Sequence, residues 1–275
     1  MKNTITIVPQ KSTFDQINIK EIFAYKDLFY ELVLRDIKIR HKQTLLGVAW
    51  VIFQPLVSSV IFTIIFGLIL KIPSNQLPYP LFVFIGLNFW NFFSTSVTTT
   101  SGSLAGNEAL IKKVYFPRVL IPLASIATNF FDFMISTIFL VILILIYGVQ
   151  LDFYALIFYI LATMLVLITI IGIGLILSAL NVRYRDVRQI LPFFIQMLIF
   201  LTPVFYPVTV ISQKYQWLLA LNPVTSAIEV TRGVLLVDFS FNLFNLSVSI
   251  FMAIALFLLG LWYFYKTERY FADII

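Results

Sequence analysis

The chain alternates long apolar segments with short polar ones, and a junction near its start shows both patterns side by side. Residues Tyr30–Lys42 are charged and repeat with helical periodicity, whereas Leu45–Leu70 is almost entirely apolar. The charged segment is expected to stay outside a bilayer, and an apolar segment of this length is typical of a membrane span. The pattern therefore predicts that the membrane begins near Gln43.

The segment Lys26–Lys42 is predicted to be an amphipathic helix lying in the headgroup region. Two interpretations are open: a simple surface anchor, or an anchor whose charged face also docks a protein. We expect two i,i+4 ion pairs, Glu31 with Arg35 and Asp36 with Arg40. The apolar side comprises Leu28, Phe29, Leu32, Val33, Ile37 and Ile39, and the charged stripe comprises Glu31, Arg35, Lys38 and Lys42.

The remaining apolar segments predict an all-α polytopic membrane protein with six transmembrane helices. Residues 1–44 form the expected cytoplasmic arm and amphipathic helix, and residues 45–275 form the transmembrane domain. The fifth span is at the short limit for crossing a bilayer. The predicted spans are about 45–70, 79–97, 119–147, 153–180, 190–206 and 243–265.

Two polar stretches between spans are candidates for contact with a partner. Ser94–Ser103 predicts a loop that leads into Glu108–Arg118, a short charged segment with one helix over Asn107–Tyr115. Asn181–Gln189 predicts an Arg-rich loop. In that second loop we expect a helix cap and an ion pair from Asp186 to Arg183 or Arg185.

The segment from Pro207 to Asn242 is too apolar for an ordinary loop and too polar for a span. Val210–Leu221 and Val224–Val237 predict two half-helices separated by Asn222-Pro223. Such a pair can dip into the membrane and return where protein satisfies its backbone. The predicted fold therefore has re-entrant helices before the last span.

Charge fixes the expected orientation. All of the 19 Lys and Arg residues except Lys71, Lys214 and Arg232 fall on one side of the six-span scheme. Because basic residues concentrate on the cytoplasmic side of membrane proteins, that side and both termini are predicted to be cytoplasmic.

Composition agrees with a membrane protein and excludes several functions. The chain is 60% apolar and 12% charged, with a mean hydropathy of +0.97. The net charge of +6 does not indicate nucleic-acid binding, because the basic residues flank apolar segments without forming a patch. With no Cys and one His, neither a disulfide framework nor a Cys- or His-based metal cluster is expected. The chain also lacks a Gly-x-x-x-x-Gly-Lys-Ser/Thr phosphate loop.

Asp132 is the one acid near the middle of a predicted span. An intramembrane acid is costly and marks either a structural contact in a polar groove or a functional site. A membrane-embedded glycosyl or lipid transferase using Asp132 and Asp186 is therefore an alternative function, and a non-transporting scaffold is another. No catalytic residue and no metal site is assigned, because the chain shows neither clustered acids nor a metal-binding pattern.

Five motifs resemble the permease subunits of bacterial ABC exporters for lipid-linked polysaccharides, such as O-antigen, capsule and wall teichoic acid. They occur in the expected order over nearly the whole chain, with His41 replacing a typical Tyr. The motifs are RDIKIRHKQTLLGVAW at residues 35–50 followed by Gln54-Pro55, KVYFPR at 113–118, NVRYRD at 181–186, TPVFY at 202–206 and LNP at 221–223.

The resemblance implies a homodimer in the bacterial cytoplasmic membrane that works with two copies of a separate ATPase subunit. ATP and Mg²⁺ are expected on that partner, and no cofactor is expected in this chain. The substrate is expected to be an undecaprenyl-linked polysaccharide. Residues expected to couple to the ATPase are Glu31, Arg35, Lys38, Glu108, Lys112, Lys113, Tyr115, Arg118, Arg185 and Asp186.

A polysaccharide needs an enclosed path through the hydrocarbon, and aromatic rings can present flat apolar faces to sugars. The candidate channel-lining residues are Trp50, Phe53, Phe89, Trp90, Phe93, Phe205 and Tyr206. The half-helices are expected to form an external gate that contains Asn222, Pro223, Glu229 and Arg232, with Glu229 and Arg232 paired at i,i+3.

Overall fold

The computed structural model describes residues 19–42, 47–74, 76–184, 186–236, 242–268 and 271. The elements in this part of the chain are all helical, which confirms an all-α polytopic membrane protein. The α-helices are α1 (Ile19–Ala24), α2 (Lys26–Lys42), α3 (Ala49–Phe62), α4 (Tyr79–Gly106), α5 (Glu108–Lys113), α6 (Leu120–Ile146), α7 (Phe153–Arg183), α8 (Val187–Leu201), α9 (Gln216–Ala220), α10 (Pro223–Gly233) and α11 (Leu243–Thr267). A π-helical turn, Thr63–Ile69, continues α3, and two 3₁₀ turns, Val208–Val210 and Gln213–Tyr215, precede α9.

Five helices of the described chain are long and apolar enough to cross a membrane: α3 with its π-helical extension, α4, α6, α7 and α11. The fifth predicted span, 190–206, instead overlaps α8, an apolar helix of 15 residues that ends at Leu201. At 1.5 Å per residue, α8 reaches only about 22 Å of the roughly 30 Å hydrocarbon layer. The count of six spans therefore stays a prediction.

Ser94–Ser103 is helical, so the predicted loop at this position is wrong. Hydroxyl groups along this part of α4 donate to backbone carbonyls one turn earlier, as in Thr95 to Asn91 at 2.5 Å and Thr98 to Ser94 at 2.7 Å. Most of the hydroxyl groups in this stretch are thus satisfied within the helix, which lets α4 continue to Gly106, although Ser96 Oγ and Thr100 Oγ1 are buried without a partner in the described part of the chain. The short helix predicted after it is confirmed as α5.

The Arg-rich loop after the fourth span is shorter than predicted. Asn181 and Arg183 belong to the last turn of α7, and Asn181 Nδ2 donates to the carbonyl of Ser101 at 2.8 Å. Asp186 occupies the first position before α8, but no side-chain cap bond from it is found among the described residues. The helix cap expected in this loop is therefore wrong, and the Asn181 side chain contacts α4 instead.

Two apolar clusters among the described residues hold the helices together. The larger one surrounds the first half of α4, whose residues Leu81–Trp90 are all buried. The smaller one joins Leu32 of α2 with the end of α4, the start of α6, the end of α7 and Phe264 near the end of α11. Since Leu32 and Phe264 share this cluster, α2 and the end of α11 lie on the same side of the bundle.

Helices α7 and α11 pack with close backbone contact through two glycines. A Cβ atom on Gly260 would lie 2.3 Å from the carbonyl oxygen of Gly172, and one on Gly172 would lie 2.5 Å from the backbone of Leu256. Small residues that let backbones approach are a common means of joining helices in membranes. This contact fixes α11 against α7.

Candidate functional site

Helix α2 has the bounds predicted for the amphipathic helix, Lys26–Lys42. It buries Leu32 in the smaller cluster, with Leu28, Phe29 and Val33 packed against the same cluster. Ile39, on the predicted apolar side, is 69% exposed on this chain and does not pack into that cluster. Glu31, Arg35 and Lys38 are exposed, which leaves the charged face of α2 accessible on this chain.

Arg35 and Arg40 do not form the predicted i,i+4 pairs. Arg35 bonds the neighbouring carboxylate of Asp36 at 2.8 Å and donates to Asn107 Oδ1 at 2.9 Å. Arg40 pairs with Asp132 in α6. Contacts with other helices thus replace the pairs within α2, and Arg35 connects α2 to the junction of α4 and α5.

Asp132 is the centre of an ion cluster that joins α2 to α6. Its Oδ2 accepts a hydrogen bond from Arg40 Nη1 at 2.5 Å, and its Oδ1 lies 3.0 Å from His41 Nε2. Arg40 also donates to Asn129 Oδ1 at 2.8 Å. The Asp132 side chain is only 17% exposed, so the paired cation offsets much of the cost of burying it. The sequence predicted Asp132 but missed Arg40 and His41, although the need of an intramembrane acid for a partner was the signal for them.

Helix α5 is held to the bundle by one buried side chain and has charged residues on its exposed side. Ile111 is buried, while Glu108 and Lys112 form an i,i+4 ion pair at 2.7 Å. Lys113 is exposed, and Tyr115 just beyond the helix is 80% exposed. Of the predicted coupling residues, these four therefore lie on an accessible surface of this chain.

Arg118, another predicted coupling residue, is held within the chain. Its guanidinium donates to the backbone carbonyl of Glu268, and its backbone N–H donates to the Glu268 carboxylate at 3.1 Å. Burial raises the pKa of the Glu268 carboxyl, an effect that the bonds from Arg118 oppose. Arg118 thereby ties the start of α6 to the end of α11.

The loop between α7 and α8 shows little of its predicted pairing. Arg185 lies outside the described residues, and no ion pair from Asp186 is found within them. The Arg183 guanidinium instead lies 5.3 Å from the ring centre of Tyr184.

The four predicted gate residues belong to α10 or to the residue that caps it. Asn222 caps α10 by accepting from the N–H of Val224, and Pro223 takes the first helical position. Arg232 is buried, and its Nη1 lies 3.5 Å from Glu229 Oε1, which confirms the i,i+3 pair. The half-helices are shorter than predicted, and Val237 lies outside the described residues.

Arg232 also joins α10 to two other segments. It donates to the carbonyls of Phe82, Pro203 and Val204 at 2.6–3.1 Å. Its guanidinium lies over the Phe82 ring at 3.5 Å from the centroid, a cation–π contact. The N-terminal part of α4 and the turn after α8 are therefore fastened to α10 by one side chain.

The candidate channel residues divide into two groups. Phe89, Trp90, Phe93 and Phe205 are buried within the chain's own core. The ring centroid of Phe205, for example, lies 3.9 Å from that of Phe62 in a tilted contact. Trp50 and Phe53 in α3 are about half exposed, at 51% and 49%. Tyr206 is partly buried and donates to the carbonyl of Phe200. A channel role for all seven stays a prediction. Of these seven, only Trp50, Phe53 and Tyr206 have side-chain surface accessible on the single chain.

Comparison with known proteins supplies the family. The chain is 30% identical over 250 residues to the O-antigen export system permease protein RfbA of Klebsiella pneumoniae, covering 90% of this chain and 95% of the relative. It is 29% identical over 210 residues to the protein of the same name from Myxococcus xanthus, covering 76% and 80%. It is 25% identical over 205 residues to the polysialic acid transport protein KpsM of Escherichia coli, covering 73% and 78%.

A family model matches residues 27–236 of this chain, a region that contains α3 to α10 and all of α2 except Lys26. That model is described as the ABC-2 type transporter, and it covers most of the chain. This assignment sets aside the transferase and scaffold alternatives, since the family is one of transporters. The chain belongs to the ABC-2 type transporter family.

Proposed function

We propose that this chain is the transmembrane permease subunit of an ATP-driven exporter that moves undecaprenyl-linked polysaccharide across the bacterial cytoplasmic membrane. The observation that carries the proposal is the similarity to O-antigen export permeases over nearly the full length of both chains. O-antigen, capsule and teichoic acid are the candidate glycans. The fold agrees, because several apolar helices provide a transmembrane framework.

The permease acts as a homodimer with two ATPase subunits, which hold the ATP and Mg²⁺. The contact surface for the ATPase is the exposed charged face of α2 together with α5. Arg35 supports this assignment because it bonds Asn107 at the start of α5, so that the two helices can move as one unit. Charged surfaces of this kind favour specific recognition of a partner.

Both termini are proposed to be cytoplasmic. The shared cluster of Leu32 and Phe264 supports this orientation, since it puts α2 and the end of α11 on one side. The excess of basic residues on that side supports its cytoplasmic location.

The test is complementation together with co-purification. A strain that lacks its own O-antigen or capsule permease is given this chain with an ABC ATPase from the same genome, and surface glycan is measured. Glu108→Lys, in the accessible surface, is expected to lower both ATPase co-purification and surface glycan. Lys214→Glu, an exposed charge change on the opposite predicted side, is the matched control and is expected to change neither. An unaltered chain that neither restores surface glycan nor retains an ATPase would refute the proposed function.

A further inference from the structure

A cavity of about 290 Å³ lies between α3, α4 and α6, beside the Asp132 ion cluster. Its wall combines amide and hydroxyl groups with three aromatic rings, an unusual lining for a bundle in lipid. Polar groups inside a membrane bundle are expected to serve a contact or a ligand. The lining used below comprises Trp50, Asn88, Asn91, Phe92, Phe133 and Ser136.

Asn88 supplies an unused hydrogen-bonding group in this wall. Its side chain is fixed, because Nδ2 donates to Thr137 Oγ1 at 3.2 Å and to Tyr159 OH at 3.1 Å. The residue is only 2% exposed, and its Oδ1 has no hydrogen-bond partner in the described part of the chain. A buried amide oxygen without a partner is unfavourable, so a hydroxyl-bearing occupant toward which this oxygen turned would remove a penalty that the chain carries.

The charges beside the cavity favour a neutral occupant. The carboxylate of Asp132 is paired with Arg40 and also contacts His41, so neither Asp132 nor Arg40 offers an unpaired charge. An anionic occupant would therefore have to compete with Asp132 for Arg40. An apolar lipid tail would leave the amides without partners, which is unfavourable in a buried site.

The rings of Trp50, Phe92 and Phe133 complete a lining suited to a sugar, whose C–H faces pack on aromatic rings while its hydroxyl edges bond amides and hydroxyls. At about 30 Å³ per water, the cavity has the room of about ten waters, close to the roughly one dozen heavy atoms of a pyranose. We propose that this cavity binds one pyranose ring of the exported glycan. The inference rests on the proposed function and adds a sugar site within a single chain.

The direct test uses the absence of natural cysteines. Ser136→Cys places one thiol in the cavity wall of the purified full-length chain, and its rate of reaction with a small methanethiosulfonate is measured. The probes are glucose, galactose, mannose, rhamnose and N-acetylglucosamine, with sorbitol and pyrophosphate as comparisons. At a concentration twice its Kd, a bound sugar is expected to slow the reaction about threefold, because protection scales as 1 + [L]/Kd.

Ser226→Cys is the matched control, because Ser226 is similarly buried but lines a different cavity near Glu229. Its reaction rate is expected to be unaffected by any probe. Slowing by a pyranose at Ser136→Cys alone supports the site. No slowing by any pyranose, or equal slowing by sorbitol or pyrophosphate, overturns it and leaves a cavity filled by water or a less selective ligand.

A second variant tests the amide. Asn88→Leu in the Ser136→Cys background keeps a similar volume and removes the polar group, while Thr137 and Tyr159 retain their mutual bond at 2.6 Å. Protection by the sugar is expected to disappear, and surface glycan is expected to fall several-fold with ATPase co-purification unchanged. If Asn88→Leu does not fold, Trp50→Leu at the half-exposed ring gives the same test. Full protection in the folded variant refutes the site, whereas export by the unaltered chain would still uphold the proposed function.

Discussion

Arg40 and Asp132 are 92 positions apart in the chain, yet Arg40 Nη1 donates to Asp132 Oδ2 at 2.5 Å and joins the amphipathic helix to α6. Removing Arg40 alone leaves a largely buried carboxylate without its strongest partner. Arg40→Ala is expected to destabilise the chain by about 1–3 kcal/mol, less than a fully buried pair because Arg40 is partly exposed. Thermal unfolding in detergent measures the effect.

The control for this pair is the double variant Arg40→Ala with Asp132→Ala. It is expected to be more stable than Arg40→Ala, because no unpaired charge then remains. Strictly additive losses in the double variant would show that the two residues do not interact.

Arg118 and Glu268 are expected to affect stability rather than ATPase binding. Arg118→Glu removes the bonds between the start of α6 and the end of α11, and it brings a second acid beside Glu268. The melting temperature is expected to fall while the remaining folded protein binds the ATPase normally. A normal melting temperature combined with lost ATPase binding would instead make Arg118 a direct contact.

The raised pKa of Glu268 predicts a dependence of stability on pH. A carboxyl whose pKa is higher in the folded state than its ordinary 4.5 binds its proton more tightly when folded. Its contribution to stability is therefore complete below 4.5 and is lost as the pH rises through the folded pKa. Glu268→Gln is expected to flatten this part of the pH profile of unfolding, and an unchanged slope would contradict the assignment.

The close contact of α7 and α11 predicts that extra volume at its glycines is harmful. Gly260→Ala and Gly172→Ala are each expected to cost about 1–3 kcal/mol, since backbone atoms occupy the place of the new methyl group. Gly102→Ala is the control, because no atom within 4 Å would meet its Cβ. It is expected to be neutral or slightly stabilising in a helix. Equal melting temperatures for all three variants would show that α7 and α11 do not pack this closely.

Single cysteines test the proposed orientation in a chain without natural ones. Lys112→Cys and Arg188→Cys are expected to resist a membrane-impermeant thiol reagent in intact cells, or in spheroplasts where an outer membrane is present, whereas Lys214→Cys is expected to react. All three positions are exposed on the isolated chain. External labelling at Arg188→Cys would reject the orientation derived from the charge asymmetry.

The sequence predicted correctly those helices whose bounds are set by neighbouring residues in the chain. The periodicity of Lys26–Lys42 gave the bounds of α2, and the Asn222-Pro223 dipeptide marked the start of α10 because it combines a cap acceptor with a residue suited to the first helical turn. Ser94–Ser103 was mistaken for a loop because Ser, Thr and Gly are typical of loops. In α4 the hydroxyl groups of Thr95 and Thr98 instead donate to backbone carbonyls of the same helix.

The arrangement of the candidate site was not predicted, because it depends on contacts between residues that are far apart in the chain. The i,i+4 rule paired Arg40 with Asp36, yet a carboxylate on another helix competes more strongly. Burial of Phe89 and Phe205 likewise follows from how α3, α4 and α6 meet, and hydrophobicity alone does not distinguish a ring in the core from one facing a channel.

The hydroxyl groups along the second half of α4 have a consequence for how this helix can move. Thr95, Thr98 and Thr99 each keep a carbonyl partner in the preceding turn. These bonds travel with the helix, so rotation or sliding of α4 does not break them. Thr95 and Thr98 can therefore exchange neighbours without losing a hydrogen-bond partner. Thr99 differs, because its hydroxyl also accepts from Asn129 Nδ2 at 2.8 Å and from Ser125 Oγ at 3.2 Å, so movement of α4 relative to α6 would break bonds at this position.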